Sequence, residues 1–139
     1  MHVVIDCNRM FSALLSKGKI FEIFILNRSF KKITFISPEL LFTEIGRNLG
    51  EIVARSKLSS KELSRVFSVI KEQIELVPFE DFNTFSDEAR KLSPHEKDVR
   101  YFALALYSNC GIWSNEKIFK EQSKVAIFSD DDLLKFLVH

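Results

Sequence analysis

Apolar residues follow two rhythms along this chain: short unbroken runs, and longer stretches spaced by three and four. The two alternate from one end to the other. Val3-Val4-Ile5, Ile33-Thr34-Phe35-Ile36, Ile74-Glu75-Leu76-Val77, Gly111-Ile112-Trp113 and Val125-Ala126-Ile127-Phe128 are β-branched and aromatic runs, each short, and they read as strands. Between the first two, 8–15 and 20–26 read as helices broken by Ser16-Lys17-Gly18-Lys19. After the second strand, Ser37 is placed to cap a helix with Pro38 in its first position, and Glu44 lies two turns in. Gly46 and Gly50 weaken that helix, and a second segment follows through Ile52, Val53 and Ala54.

The clearest amphipathic helix comes next. Ser59-Ser60-Lys61-Glu62 has capping-box spacing, and Leu63, Val66, Phe67 and Ile70 follow at helical intervals. Residues 85–92 suggest another helix. Ser93-Pro94-His95-Glu96 repeats the capping logic, with Glu96 poised to reach back, ahead of a helix that runs from Asp98 through Val99, Tyr101, Phe102 and Leu104. That helix is apolar almost all round and is expected to be central. Ser129 caps a final helix, 130–137. Strands alternating with helices over short links predict an α/β fold, a three-layer α/β/α sandwich around a parallel sheet of about five strands, as a single domain over 1–139.

Composition narrows this picture only in places. A chain of 139 residues buries roughly two thirds of its unfolded surface, enough for one core. The 14 phenylalanines point to a large aromatic core or to an apolar patch that a second copy covers. Net charge is +1, so no global field argues for or against a nucleic-acid partner. Cys7 and Cys110, with His2, His95 and His139 scattered, make neither a zinc site nor a disulfide framework. The glycines form no phosphate-binding loop. With no leader and no apolar run near 18 residues, no membrane contact and a cytoplasmic location are expected.

Four acids sit where βα units place chemistry. Asp6 ends the first strand, Glu44 projects from the helix after the second, Asp98 begins the buried helix and Glu116 follows the fourth strand. Clustered carboxylates resist ionising together unless a cation neutralises them, and their natural ligand is a hard divalent ion, Mg²⁺ or Mn²⁺. Simpler roles stand beside this one. Asp6 or Asn8 suits a helix cap, and Glu44 could pair with Arg47 for about 0.2–0.5 kcal/mol. Glu116 could be a first-turn helix acid. Asp130-Asp131-Asp132 follows a capping serine, where acids complement the helix dipole, and is read as structural. Cys7 is read as a small buried filler.

Taken together, VVIDCNRMFSALL, ISPELLFTEI and EKDVRYFALALYSNCGIWSNEKIF, in this order and spacing, resemble the PIN domain, a metal-dependent ribonuclease family that includes toxins of toxin–antitoxin pairs. The resemblance implies that Asp6, Glu44, Asp98 and Glu116 are catalytic and metal-binding, with Asn8 and Ser114 supporting them. Two departures are evident: Cys7 stands where threonine or serine is common, and Glu116 where aspartate is usual. The implied reaction is endonucleolytic hydrolysis of single-stranded RNA with Mg²⁺ or Mn²⁺. A protein antitoxin and a homodimer are the implied partners. Arg9, Lys97, Arg100 and Lys117 flank the acids and are candidates to hold the RNA backbone through charge. The alternative is a catalytically weak PIN-like module that binds RNA or protein, suggested by Cys7 and Glu116. A receiver domain is disfavoured because Asp6 comes too early in the chain.

Overall fold

A computed structural model describes residues 1–16 and 18–139; of the expected break Ser16-Lys17-Gly18-Lys19, Lys17 lies outside the described residues. Strand β1 (His2–Ile5) is the middle of the molecule. It pairs in parallel with β2 (Thr34–Pro38) on one side and β4 (Gly111–Trp113) on the other, while β3 (Ile74–Val77) and β5 (Ile127–Phe128) form the edges. The order β3-β2-β1-β4-β5 is an all-parallel, five-stranded sheet, as the alternation of apolar runs predicts. Val3, Val4 and Ile5 are wholly buried because both faces of β1 are covered, which is why the run does not alternate with polar residues.

Helices α1 (Cys7–Leu15) and α2 (Gly18–Phe30) link β1 to β2. Helices α3 (Leu41–Arg47), α4 (Leu49–Arg55) and α5 (Ser60–Lys71) lead to β3, and α6 (Phe79–Phe82), α7 (Ser86–Leu92) and α8 (Val99–Ser108) lead to β4. Helix α9 (Asp130–Val138) ends the chain. Helix α8 packs on β1, β2 and β4 with α6 and α7 against it, whereas α2 packs with α1, α5 and α9. Phe24 of α2 meets Phe35 and Trp113 of the sheet with ring centroids 4.9 and 5.5 Å apart. The phenylalanine surplus goes chiefly into the core: Phe24, Phe35, Phe82 and Phe102 are wholly buried, whereas Phe30, Phe79 and Phe136 remain exposed.

Local rules succeed where only the chain's own neighbours compete for a side chain. Ser59 and Ser129 each form the full reciprocal capping box, with Glu62 and Asp132 respectively. Two expected caps fail for one reason: another partner takes the hydroxyl. Ser37 and Pro38 belong to β2, not to a helix; the buried Ser37 hydroxyl donates to the Ile5 carbonyl at 3.3 Å, and the helix begins only at Leu41. Ser93 donates to the His95 carbonyl at 2.7 Å and Glu96 pairs with Arg90, so no box forms. A 3₁₀ turn (Glu96–Asp98) precedes α8 instead.

Candidate active site

The strand order reverses between β1 and β4, and this is where an open α/β sheet leaves a crevice at the carboxyl ends of its strands. Ile5 registers with Trp113, so the next residues, Asp6 and Ser114, stand side by side at that crevice. Both are buried, Asp6 at 4% exposure and Ser114 at 1%. The Asp6 carboxylate accepts the Asn8 backbone N–H at 2.6 Å, which makes it the N-cap of α1. It also accepts a hydrogen bond from Ser114, whose hydroxyl in turn accepts the Glu116 N–H at 3.1 Å. Cap and candidate site residue are thus the same side chain; the two sequence readings of Asp6 do not compete.

Burial pushes the Asp6 carboxyl above its usual range, a shift to which the neighbouring charge of Asp98 adds; the hydrogen bonds from Asn8 and Ser114 and the charge of Arg9 pull the other way. Asp98 stands immediately before α8, without a capping hydrogen bond from its side chain. Its carboxyl is also raised, first by burial and further by the charge of Glu116, against Lys97, His95 and Arg100. Asp6 therefore senses Asp98, and Asp98 senses Glu116. Among the described residues neither Asp6 nor Asp98 takes part in an ion pair.

Glu44 is committed elsewhere. Its carboxylate forms an ion pair with Arg100 rather than with Arg47. The Arg100 guanidinium stacks 5.1 Å from the Tyr101 ring, and the Tyr101 hydroxyl accepts the Cys7 N–H at 3.3 Å. Burial chiefly, with Glu44 and Asp6 adding to it, pushes the Cys7 thiol up to about 12, so it is an unreactive thiol, in keeping with its reading as filler. Among the described residues no three His, Cys, Asp or Glu side chains are arranged to hold a metal ion as they stand. The donor chemistry nonetheless fits a hard divalent cation. Burial holds the Asp6 and Asp98 carboxyls above their normal range, a neighbouring acid adds to each shift, and among the described residues neither is tied up in an ion pair, so both oxygen donors are free for such an ion.

The basic candidates divide. Lys97 and Lys117 are exposed, Arg100 pairs with Glu44, and Arg9 pairs with Asp130 at 3.4 Å. Asp130 also accepts the Trp113 indole N–H at 2.7 Å and the Asn115 amide at 3.2 Å. The acidic triplet thus opens with a residue that fixes the end of β4, a structural role as expected but with partners the sequence does not reveal. Tyr101, read only as core, is the other residue that sequence reasoning missed. No signal in its own neighbourhood marks a hydroxyl that binds the start of α1.

Fold and crevice together define a three-layer α/β sandwich with the buried Asp6 at the carboxyl end of its central strand. The PIN domain family model matches residues 4–125, and the chain belongs to that family. Members of the family are generally nucleases. A chain of the crystal structure of VapBC2 from Rickettsia felis, bound to a DNA fragment from their promoter, superposes with a TM-score of 0.68 at 15% identity. The match covers 93% of this chain and 98% of that one, a likeness of fold. No curated protein matches by sequence.

Proposed function

We propose that this chain is a divalent-metal-dependent endoribonuclease that hydrolyses single-stranded RNA, the toxin of a toxin–antitoxin pair. The observation that carries the reading is the pair Asp6 and Asp98, each burdened by burial and by a neighbouring acid, Asp98 for the first and Glu116 for the second, at the crevice where β1 and β4 diverge. Asp6 and Asp98 would hold Mg²⁺ or Mn²⁺, with Glu116 and Glu44 completing the set. A bound divalent ion supplies Lewis-acid activation of a water and neutralises charge on the phosphate. The chain's own residues do the rest. Ser114 and the Asn8 N–H fix the Asp6 carboxylate, and Ser114 also holds the Glu116 backbone, so one hydroxyl positions two acids. Lys97 and Lys117, exposed beside Asp98 and Glu116, suit the phosphates of a single strand and carry no sequence information.

The antitoxin is taken as partner because the VapBC2 structure is that of a pair bound to promoter DNA. An apolar groove of about 410 Å³ between α1, α3, α4 and α5, lined by Leu14, Phe42, Ile45, Leu49, Val53 and Phe67, is suited to a helix of such a partner. A homodimer belongs to the same reading and is tested by light scattering on the purified chain.

The deciding experiment is cleavage of labelled single-stranded RNA in Mn²⁺, Mg²⁺ or EDTA, with duplex RNA and single-stranded DNA as controls. Metal-dependent cleavage lost in Asp6→Asn and Asp98→Asn supports the proposal. Cleavage that persists in EDTA, or that both variants retain, refutes it. The second reading, a weakly catalytic RNA- or protein-binding module, draws on the engagement of Glu44 by Arg100. It predicts RNA binding that Asp6→Asn leaves unchanged and no turnover in either metal.

A further inference from the structure

Arg100 is the second residue of α8, two positions after Asp98, and its guanidinium points its positive charge at Glu44. Its Nη2 meets Glu44 Oε1 in an ion pair, and both side chains are largely withdrawn from water, at 29% and 23% exposure. A second contact runs from Nη2 to the Tyr101 hydroxyl at 3.5 Å. Among the described residues its buried Nε has no hydrogen-bond partner, so the guanidinium's bonding is incomplete. The guanidinium's charge also reaches Asp98.

We propose that Arg100 is the resident countercation of the site: it holds Glu44 in the absence of metal and competes with the divalent ion for that carboxylate. This rests on the reading of the acids as a metal site and goes beyond it, because it makes metal uptake an exchange. Glu44 leaves one cation for another, and Arg100 is set free beside the exposed Lys97 to meet an RNA phosphate. The guanidinium suits both tasks, since its flat fork matches carboxylate and phosphate alike.

The test is Mn²⁺ binding by calorimetry to wild type, Arg100→Gln, Arg100→Lys, Glu44→Gln, Glu44→Gln/Arg100→Gln and Asp6→Asn, each checked for folding by circular dichroism in EDTA. Arg100→Gln should bind Mn²⁺ roughly three- to tenfold more tightly, the range expected for releasing one half-buried pair. Arg100→Lys should stay within about twofold of wild type, and the Glu44→Gln background should abolish the gain. Unchanged or weaker binding by Arg100→Gln, with Asp6→Asn still abolishing binding, overturns the exchange while leaving the metal site intact. A gain that survives in the Glu44→Gln background overturns it too, because Arg100 then acts only by general repulsion. No Mn²⁺ uptake by wild type, Arg100→Gln or Arg100→Lys overturns both the exchange and the metal site. A measurement on the wild type does not depend on variant folding. As Mg²⁺ is added, the Arg100 guanidinium NMR signals should exchange faster with water, and signals unchanged at saturating Mg²⁺ refute the exchange.

Discussion

Removing the Asp130 carboxylate should destabilise the protein far more than the loss of an acid from a helix end would suggest. Trp113 is wholly buried and its indole N–H has one acceptor among the described residues, Asp130 Oδ1 at 2.7 Å. In Asp130→Ala that N–H is left unpaired, at a cost of about 1–3 kcal/mol. The partly buried pair with Arg9, whose side chains are 14% and 15% exposed, adds about 0.5–1 kcal/mol. An acid lost from the first turn of α9 adds about 0.3–1 kcal/mol. These terms share partners and do not add fully, so the expected loss is roughly 2–4 kcal/mol, or a fall in Tm of roughly 7–14 °C for a chain of this size. Urea unfolding in EDTA followed by far-ultraviolet circular dichroism is the suitable assay, because Trp113 is the chain's single tryptophan and its fluorescence would change with the substitution itself. Asp130→Asn, which keeps an acceptor for the indole, should recover about half the loss. A double-mutant cycle with Trp113→Phe should give a coupling of at least about 1 kcal/mol. A loss below about 0.5 kcal/mol for Asp130→Ala, or additivity in the cycle, would refute the assignment of Asp130 as the anchor of β4.

Three further outcomes follow from the same geometry. Because the Asp6 carboxyl is raised above its unfolded value, its contribution to stability is present below the unfolded pKa and is lost as pH rises through the folded one. In EDTA, Asp6→Asn should therefore be more stable than wild type at pH 7.5 and nearly equal to it near pH 3, as urea unfolding at the two pH values measures; a less stable variant at pH 7.5 would show that the cap outweighs the burial. Ser114→Ala should lower metal-dependent cleavage about ten- to a hundredfold, because both Asp6 and Glu116 lose their support, and single-turnover rates would reveal an unchanged variant. Gly111→Ala should cost about 1–3 kcal/mol, since an added Cβ would lie 2.7 Å from the Ala126 carbonyl oxygen and 2.5 Å from the Phe128 ring, and thermal unfolding measures it.

The legible parts of this molecule are those governed by near neighbours or by a face buried on both sides. The apolar run Val3-Val4-Ile5, the Asp6 carboxylate that follows it and the caps at Ser59 and Ser129 all follow from chemistry within four residues. Ser37 and Pro38 carry as good a cap signal, but the Ile5 carbonyl, brought close only by the sheet, takes the Ser37 hydroxyl. Pro38 is tolerated in β2 because it is the last residue of the strand, and the hydrogen bond to the Val77 carbonyl comes from the Glu39 N–H. The site divides in the same way. Asp6 and Ser114 are readable because each directly follows a strand, whereas the Glu44–Arg100 pair and the Trp113–Asp130 bond join distant segments and leave no trace in spacing. Arg100 could be read as basic and near the acids, but not as the partner of one of them.

Crystals soaked in Mn²⁺ and measured at the manganese absorption edge test the central claim most directly. The account predicts an anomalous peak in the crevice between the ends of β1 and β4, ligated by Asp6 and Asp98, that disappears in Asp6→Asn. A peak confined to Asp130-Asp131-Asp132, or no peak within reach of Asp6, would contradict it.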